Sequence, residues 1–269
     1  MKKLLIVGGG NMGFAIAHGI TSKGIYKKRK IIFVETNLKR TKFLRKNKYQ
    51  ALNSLTIIIR KNKFDAIILA VKPNEIHLVA KELKYLTPKS VAVVSIAAGI
   101  TLKTLASLLP KGQPIARVMP NTPCQIGEGM SAIALNKYIS KNQKSLIKNI
   151  FMSSGKIIEL KEQYFNVVTA ISGSGPAYFC YLIEYLANSA SKLGLNERLA
   201  SEMVLQTGLG TMKLLSKNKI SPTSLRKTVT SPKGTTEAAL KVFEKNKLCD
   251  IIHSAVKAAK NRAVELNKQ

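Results

Sequence analysis

The sequence predicts an α/β fold in which an N-terminal doubly wound parallel sheet is followed by an all-helical second half. Three observations lead to this prediction. Short apolar runs alternate with amphipathic stretches from residue 2 to about residue 160, which is the pattern of repeated βα units. A glycine-rich turn joins the first apolar run to the first amphipathic stretch. Beyond Lys161 the strand-like runs stop, and only helical periodicity continues.

The glycine-rich turn lies between a strand and a helix, as a dinucleotide-binding motif requires. Residues 4–7 form a short apolar run, and Gly8, Gly10 and Gly13 then match G-x-G-x-x-G before helical spacing begins. The first glycine permits the turn, the second lets backbone approach a pyrophosphate, and the third lets the helix pack on the strand. The N–H groups at the helix start favour an anion there. This context predicts a Rossmann-type sheet that binds a dinucleotide, whereas an isolated match is also typical of an ordinary tight turn.

The second predicted strand, residues 30–34, ends at Glu35. An acidic side chain about twenty residues after the glycine turn can hydrogen-bond the ribose hydroxyls of NAD, which favours NADH. Lys39 and Arg40 follow closely and can hold the 2′-phosphate of NADPH. The sequence therefore leaves the choice between NADH and NADPH open. Asn53 lies between the second and third predicted strands, where a polar side chain can reach the adenosine end.

The remaining elements of the sheet follow in order. Residues 64–71 (FDAIILAV) form a near-continuous apolar run, which is typical of a parallel strand buried on both faces. Two loops, 70–73 (AVKP) and 95–99 (SIAAG), end strands where such a sheet places its ligand crevice, although each loop alone is also an ordinary strand exit. Further strands are predicted at residues 91–96, 114–119, 130–135 and 156–160, and helices at residues 74–86, 102–109 and 140–152.

The second half is predicted to be helical. Residues 176–193 are apolar on nearly all sides, which predicts a helix that is buried on most sides. Gly208 and Gly210 lie inside another predicted helix and cost about 1 kcal/mol each against alanine, so we expect a close contact with a second helix there. Because this half is small and apolar, we expect subunits to pair through it. Its other helices are predicted at residues 197–217, capped by Asn196, and at 221–229, 236–245 and 248–266.

Composition limits the possible partners. The chain has 269 residues, 45% of them hydrophobic, and a formal net charge of +30. The basic residues are spread along the chain without an arginine-rich block or interleaved aromatics, so we expect a solvated surface and no nucleic-acid partner. No apolar run approaches the length of a membrane span. The three cysteines and three histidines have no metal-ligand spacing, so we expect no metal site, and the odd cysteine count favours the cytoplasm.

Three further segments carry polar or glycine-rich loops. Residues 117–123 (RVMPNTP) are typical of a rigid turn. Residues 230–237 (TSPKGTTE) combine a helix start with a glycine and two threonines, so their N–H groups can hold a carboxylate, helped by Lys233, and a threonine hydroxyl can donate to a substrate nitrogen. Residues 172–178 (SGSGPAY) open the long apolar helix, with Glu162 shortly upstream. Each segment alone is also typical of a structural turn or a capped helix.

Together these segments resemble the pyrroline-5-carboxylate reductase family. VGGGNMG, AVKP, SIAAG, RVMPNTP, SGSGPAY and TSPKGTT occur in the family's order and spacing over almost the whole chain. The resemblance implies a dinucleotide-binding Rossmann domain at 1–160 and a helical substrate and dimerisation domain at 161–269. It implies reduction of 1-pyrroline-5-carboxylate to L-proline, the last step of proline biosynthesis, with NADPH or NADH as cofactor. It also implies a homodimer or higher homo-oligomer.

The resemblance assigns roles by position. Thr236 matches the threonine that hydrogen-bonds the ring nitrogen, which makes it the candidate for proton delivery. Glu162 matches an acidic residue at the substrate pocket. The substrate carboxylate would be cradled by Ser231, Lys233, Gly234 and Thr235. The cofactor would be contacted by Val7, Gly8, Gly9, Gly10, Asn11, Met12, Asn53, Ala70, Val71, Lys72, Pro73, Ile96, Ala97 and Ala98, besides Glu35.

Two departures from the family pattern stand out. Lys233 replaces the first glycine of TSPGGTT. If that glycine needs a positive φ, lysine strains the loop, whereas a side chain that points outward is tolerated. Asn166 replaces an aspartate that is usual shortly before SGSGPAY, which removes a charge at a helix start.

Two alternatives remain. A β-hydroxyacid dehydrogenase shares the two-part layout, but resembles this chain less because a lysine is expected one helical turn past the glycine-rich segment. Residues 178–184 contain no lysine. A non-catalytic dinucleotide sensor or polyanion-binding protein would use the basic charge, and Thr236, Glu162 and the two substrate loops argue against it.

Overall fold

The computed structural model describes residues 3–267, with side chains throughout except at positions 60 and 61. The chain divides into two compact units. One comprises the chain up to Ser174 together with the segment from Ala259 onward, and the other is Gly175–Ala258. The first contains a mainly parallel sheet with helices and the second is helical, so the predicted α/β class is confirmed.

The sheet unit is built on eight described strands in the order β3-β2-β1-β4-β5-β6-β7-β8. Neighbouring strands are parallel except β6 and β7, which are antiparallel. Strands β1 to β6 have the order of a doubly wound dinucleotide-binding sheet. In such a sheet the chain adds strands first on one side of β1 and then on the other, starting with β4. The strands are β1 (Lys3–Val7), β2 (Ile31–Val34), β3 (Gln50–Leu52), β4 (Phe64–Leu69), β5 (Ala92–Ser95), β6 (Ile115–Met119), β7 (Gly129–Leu135) and β8 (Gly155–Glu159).

Five helices, α2, α5, α6, α9 and α10 as bounded below, begin at a residue whose side chain accepts from a free N–H group of the first turn. Ser140 and Gln143 form a reciprocal capping box. The predicted cap Asn196, and Ser221 at the start of a predicted helix, accept from N–H groups of the next turn. In chain order the helices are α1 (Asn11–Ser22), α2 (Leu38–Lys46), α3 (Leu55–Lys61), α4 (Ile76–Leu86), α5 (Leu102–Leu108), α6 (Lys141–Met152), α7 (Phe165–Val168), α8 (Gly175–Lys192), α9 (Glu197–Asn218), α10 (Pro222–Thr228), α11 (Thr235–Lys245) and α12 (Leu248–Leu266).

Both faces of the sheet are covered. Leu4 and Ile6 of β1 belong to a buried cluster with side chains of α1 and α6. Leu5 and Val7 point the other way and belong to a cluster with side chains of α3, α4 and α5. Because successive side chains of a strand alternate between faces, a strand covered on both sides is mostly apolar. Residues 4–7 of β1 and 66–69 of β4 are apolar without interruption, and Lys3 and Asp65 lie near the starts of these strands.

The helical unit differs from the prediction in one respect. The helix α8 was expected to be buried on most sides, and that is wrong for the single chain, where Phe179 is 55% exposed and Leu182 54%. In α9, a Cβ added to Gly208 or Gly210 would meet nothing within 4 Å. The described chain therefore does not provide the expected close helix contact. An apolar surface of this extent is typical of a subunit interface.

Two findings concern the described chain as a whole. Over residues 3–267, no helix is long and apolar enough to cross a membrane. Within the same range, no three His, Cys, Asp or Glu side chains are grouped so that they could hold a metal ion.

Candidate active site

The glycine turn has the shape of a phosphate cradle. Gly8 has φ +100°, and a Cβ there would lie 2.5 Å from the Ala70 carbonyl oxygen, so both conformation and space require glycine. A Cβ on Gly13 would overlap the Gly8 carbonyl oxygen. In contrast, a Cβ on Gly10 would meet nothing within 4 Å. The start of α1 is therefore open where the motif places a pyrophosphate, and the residues fit a dinucleotide.

Three predicted cofactor segments lie at one edge of the sheet. Val7 of β1 is paired with Leu69 of β4, and Leu69 with Ser95 of β5, so residues 7–12, 70–73 and 96–98 all follow adjacent strand ends. The Ala70 N–H donates to Val7 O at 2.7 Å, and the Ile96 N–H to Leu69 O at 3.1 Å, which extends the ladder into the loops. Ala97 is buried and Ala98 half-buried. Small side chains thus line this edge, as a flat ring requires.

The ends of β2 and β3 add Glu35 and Asn53 to the same edge. The Glu35 N–H donates to Leu52 O at 2.9 Å, which places Glu35 beside the strand that Asn53 follows. The Glu35 carboxylate turns back onto the glycine turn, where Oε2 accepts the Gly9 N–H at 2.8 Å. Its Oε1 accepts the Asn37 N–H at 2.8 Å. The short strand β3 was not predicted, and it is what brings Asn53 to this edge.

Arg40 lies against the other side of the glycine turn. Its Nε donates to the Gly9 carbonyl oxygen. Its guanidinium lies 4.4 Å from the ring centre of Phe43 and 5.6 Å from that of Phe14. The Arg40 N–H is held by Asn37 Oδ1 at 3.0 Å, which caps α2. The Arg40 side chain is therefore held against the glycine turn by contacts within the chain.

Glu162 is held by two groups of the sheet unit. Its Oε1 accepts the Leu102 N–H at 2.7 Å and Arg117 Nη1 at 3.0 Å. Arg117 is 3% exposed and its guanidinium lies 4.9 Å from the centre of the Phe165 ring. Burial lowers the pKa of Arg117, and the Glu162 carboxylate opposes that shift. Within the described residues, Glu162 Oε2 has no hydrogen-bond partner. The Arg117 pairing was missed from sequence, where residues 117–123 were interpreted only as a turn.

The turn before α11 presents free N–H groups. Gly234 is the N-cap of α11, its N–H donates to Ser231 O at 3.1 Å, and its carbonyl accepts the Ala238 N–H at 3.1 Å. The N–H groups of Thr235, Thr236 and Glu237 have no acceptor among the described residues, as expected for a first helical turn. The helix dipole makes this turn suitable for a carboxylate.

One N–H group of this turn is already occupied. The Lys233 N–H donates to Glu237 Oε2 at 3.0 Å, and Lys241 Nζ lies 3.3 Å from the same oxygen. These two donors hold the pKa of Glu237 below its ordinary value, so the carboxylate stays ionised at neutral pH. Lys233 can therefore assist an anionic ligand through its ammonium group, while its N–H stays with Glu237.

Lys233 has φ +59°, the left-handed conformation that glycine adopts without strain. We expect Lys233→Gly to raise the free energy of unfolding by about 0.5–1 kcal/mol, because the relief of about 1–2 kcal/mol of strain exceeds the added entropy of the unfolded chain. Urea unfolding at one fixed protein concentration measures the change. Lys219→Gly, at φ +52° outside this turn, should give a similar gain. A loss of stability in Lys233→Gly would show that the lysine side chain makes stabilising contacts.

The other departure, Asn166, has a partner of its own. Asn166 Oδ1 accepts from Asn267 Nδ2 at 2.8 Å, within the sheet unit. An aspartate at position 166 would accept the same bond, so the change removes the charge and keeps the hydrogen bond.

Comparison with known proteins identifies similar chains over nearly the full length. A family model described as pyrroline-5-carboxylate reductase dimerisation matches residues 162–266, and one described as NADP oxidoreductase, coenzyme F420-dependent, matches residues 3–99. The pyrroline-5-carboxylate reductase of Synechocystis sp. is 37% identical over 267 residues, covering 99% of each chain. Pyrroline-5-carboxylate reductase 1 of Bacillus subtilis is 33% identical, covering 99% of this chain and 90% of that protein.

Solved structures show the same likeness. The pyrroline-5-carboxylate reductase of Coxiella burnetii superposes with a TM-score of 0.90 at 34% identity, covering 100% of this chain and 99% of that one. The Plasmodium falciparum pyrroline carboxylate reductase, solved with NADP bound, superposes with a TM-score of 0.88 at 33% identity, covering 99% and 98%. An Aquifex aeolicus prephenate dehydrogenase, at 15% identity and a TM-score of 0.56, shares the fold alone.

Proposed function

This chain belongs to the pyrroline-5-carboxylate reductase family, and we propose from that premise how its residues divide the work of the reaction. The chain is an NADPH- or NADH-dependent oxidoreductase that reduces 1-pyrroline-5-carboxylate to L-proline, and it forms homo-oligomers through its helical part. The observation that carries the assignment is 37% identity over 99% of the chain. We propose residues 1–160 as the cofactor domain and 161–269 as the substrate and dimerisation domain.

The sheet edge is proposed to hold the cofactor. The open start of α1 at Gly10 would take the pyrophosphate, and the loops at 70–73 and 96–98 would lie against the nicotinamide, with Asn53 and Glu35 at the adenosine. The fit is supported by the space at Gly10 and by the small residues at the strand ends. When bound, the cofactor supplies a hydride to the imine carbon of the substrate.

The turn from Ser231 to Thr236 is proposed to hold the substrate. The N–H groups of Thr235, Thr236 and Glu237 would bind the carboxylate, and the Lys233 ammonium would add positive charge. The Thr236 hydroxyl would hydrogen-bond the ring nitrogen and deliver or relay the one proton that the nitrogen takes up. Because a protonated imine is a good hydride acceptor, the chain needs little further acid–base chemistry and acts mainly by positioning its two ligands.

Glu162 is proposed to contact the substrate through Oε2. Its other oxygen is committed to the Leu102 N–H and to Arg117, so the carboxylate is held in one orientation by a buried cation. Removing that cation would leave the Leu102 N–H as the remaining donor to this oxygen, and the carboxylate would be held less firmly. We therefore interpret Arg117 as a positioning residue for Glu162.

The direct test is to mix the purified protein with 1-pyrroline-5-carboxylate and either NADH or NADPH. We expect the absorbance of the reduced nicotinamide to fall as L-proline appears in equal amount by amino-acid analysis. Absence of proline with both cofactors would refute the assignment, and dinucleotide binding without turnover would favour the sensor alternative. We also propose a cytoplasmic location, supported by Cys124, Cys180 and Cys249, which form no disulfide in the described chain.

A further inference from the structure

We propose that the end of β2 selects NADH over NADPH in this enzyme, with the Glu35 carboxylate as the specificity-determining group and Arg40 as a brace of the glycine turn. This inference rests on the proposed function, because it assumes that the sheet edge holds the dinucleotide. It decides between two alternatives that the sequence leaves open, since Glu35 favours NADH whereas Lys39 and Arg40 favour NADPH.

The Glu35 carboxylate is held in one place. Two backbone N–H groups, those of Gly9 and Asn37, donate to its two oxygens at 2.8 Å each. A Cβ on Gly9 would lie 3.1 Å from Glu35 Oε2, so the carboxylate rests directly on the glycine turn. Thr41 Oγ1 donates to the Glu35 carbonyl oxygen at 3.1 Å, which anchors the backbone of the same residue. This acidic group therefore does not easily rotate away from a ligand.

A carboxylate in this position discriminates between the two cofactors. Each carboxylate oxygen accepts more than one hydrogen bond, so both can still accept from a ribose hydroxyl while holding a backbone N–H. In NADPH a phosphate dianion replaces one of these hydroxyls. With NADPH, Glu35 would therefore lose a hydrogen bond from that hydroxyl. The phosphate and the Glu35 carboxylate would also repel each other at close range, which weakens NADPH binding.

Arg40 is already engaged by the chain itself. Its Nε donates to the Gly9 carbonyl oxygen and its guanidinium stacks 4.4 Å from the centre of the Phe43 ring. These contacts hold the cation against the residue whose N–H is held by Glu35. Glu35 thus accepts the Gly9 N–H and Arg40 donates to the Gly9 carbonyl oxygen, and together they stabilise the turn for either cofactor.

The high positive charge of the chain also affects the relative affinities for NADH and NADPH. A formal charge of +30 attracts NADPH more strongly than NADH, because NADPH carries the additional phosphate. This long-range attraction is screened by salt, with a Debye length of about 10 Å at 0.1 M. The preference set by Glu35 acts at contact distance and should persist at high salt.

The test is equilibrium binding, which does not require turnover. Dissociation constants are measured by nucleotide fluorescence for NADH and NADPH, and by calorimetry for ADP-ribose and 2′-phospho-ADP-ribose, at low and high salt. We expect wild type to bind NADH about tenfold or more tightly than NADPH at high salt, with the same order for the two fragments.

Glu35→Gln keeps the side-chain shape and one acceptor oxygen, but it removes the charge and the acceptor for one of the two backbone N–H groups. We expect it to shift the NADPH/NADH ratio towards NADPH by about tenfold or more, while ADP-ribose affinity falls only a few-fold. Arg40→Met should weaken all four ligands by a similar factor. Thermal unfolding of each variant confirms that it is folded.

Glu159→Gln is the matched control. Glu159 ends β8, which runs opposite to β1–β6, so it lies at the other edge of the sheet and pairs there with Lys144 and Lys148. Its loss removes the same charge and should leave the ratio unchanged. NADPH binding as tight as NADH at high salt, an unchanged ratio in Glu35→Gln, or a selective loss of the phosphorylated ligands in Arg40→Met would each overturn the proposal. Failure of all four ligands to bind would overturn the proposed function with it.

Discussion

Thr236→Val should lower the turnover number about 100-fold or more while the dissociation constant for the dinucleotide stays near that of wild type. The substitution keeps the β-branched shape and the backbone N–H that is proposed to bind the carboxylate. It replaces the hydroxyl with a methyl group, so the donor that we propose for the substrate nitrogen is lost. Losing a positioned proton donor typically costs a factor of about 10²–10⁴ in rate.

The control is a second threonine-to-valine substitution outside the proposed site. Thr228→Val, at the end of α10, removes a hydroxyl that donates to the Ser224 carbonyl oxygen at 3.1 Å within its own helix. We expect that variant to retain wild-type turnover. Steady-state kinetics with both cofactors, together with direct cofactor binding, separate the effects. If Thr236→Val turns over normally, the proton comes from another donor.

The doubly wound sheet could be predicted because its central strands are apolar on both faces and because glycines mark the first turn. The elements that were missed carry weak or conflicting patterns. The helix α2 (LKRTKFLRK) buries only Thr41 and Leu44, so it has almost no apolar face. The helix α3 begins LTIII, where β-branched residues favour a strand. In both cases contact with the sheet overrides local preference.

The candidate site also contains parts that the sequence could predict and parts that it could not. Segments that follow strand ends could be predicted to converge, because parallel strands bring their carboxyl ends to one edge. The pairing of Arg117 with Glu162 joins residues far apart in sequence and could not be deduced from spacing. A signal was nevertheless present, since an arginine inside the apolar strand IARVM must be paired if that strand is buried.

The choice of cofactor shows what geometry adds to a motif. Glu35 and Arg40 give opposite indications as residue types. Their contacts with Gly9 distinguish them. The Glu35 carboxylate accepts the Gly9 N–H and is the group that we propose to hold the ribose, whereas the Arg40 guanidinium is engaged by a carbonyl and two aromatic rings. The positive φ of Lys233 is a similar case, because the sequence indicated that strain was possible and the backbone angle establishes it.

Met203→Asp should convert the homo-oligomer to smaller species and abolish most of the proline-forming activity. Met203 is 60% exposed in the single chain and lines an apolar cleft of about 610 Å³ between α8 and α9, together with Phe179, Leu182, Leu186 and Leu205. A family model for dimerisation covers this part of the chain. Burial of an unpaired carboxylate in an apolar interface costs several kcal/mol, and every 1.4 kcal/mol weakens association about tenfold.

Leu78→Asp is the matched control. Leu78 is 66% exposed on α4 of the sheet unit, so this substitution introduces the same charge outside the cleft. Sedimentation at micromolar protein should show wild type and Leu78→Asp at the same mass and Met203→Asp at a lower one. Circular dichroism of Met203→Asp should keep its helical signal, because that side chain is mostly exposed in the single chain and contributes little to its packing. An unchanged mass for Met203→Asp would show that the cleft is not part of the subunit interface, and the exposure of α8 and α9 would then need another explanation.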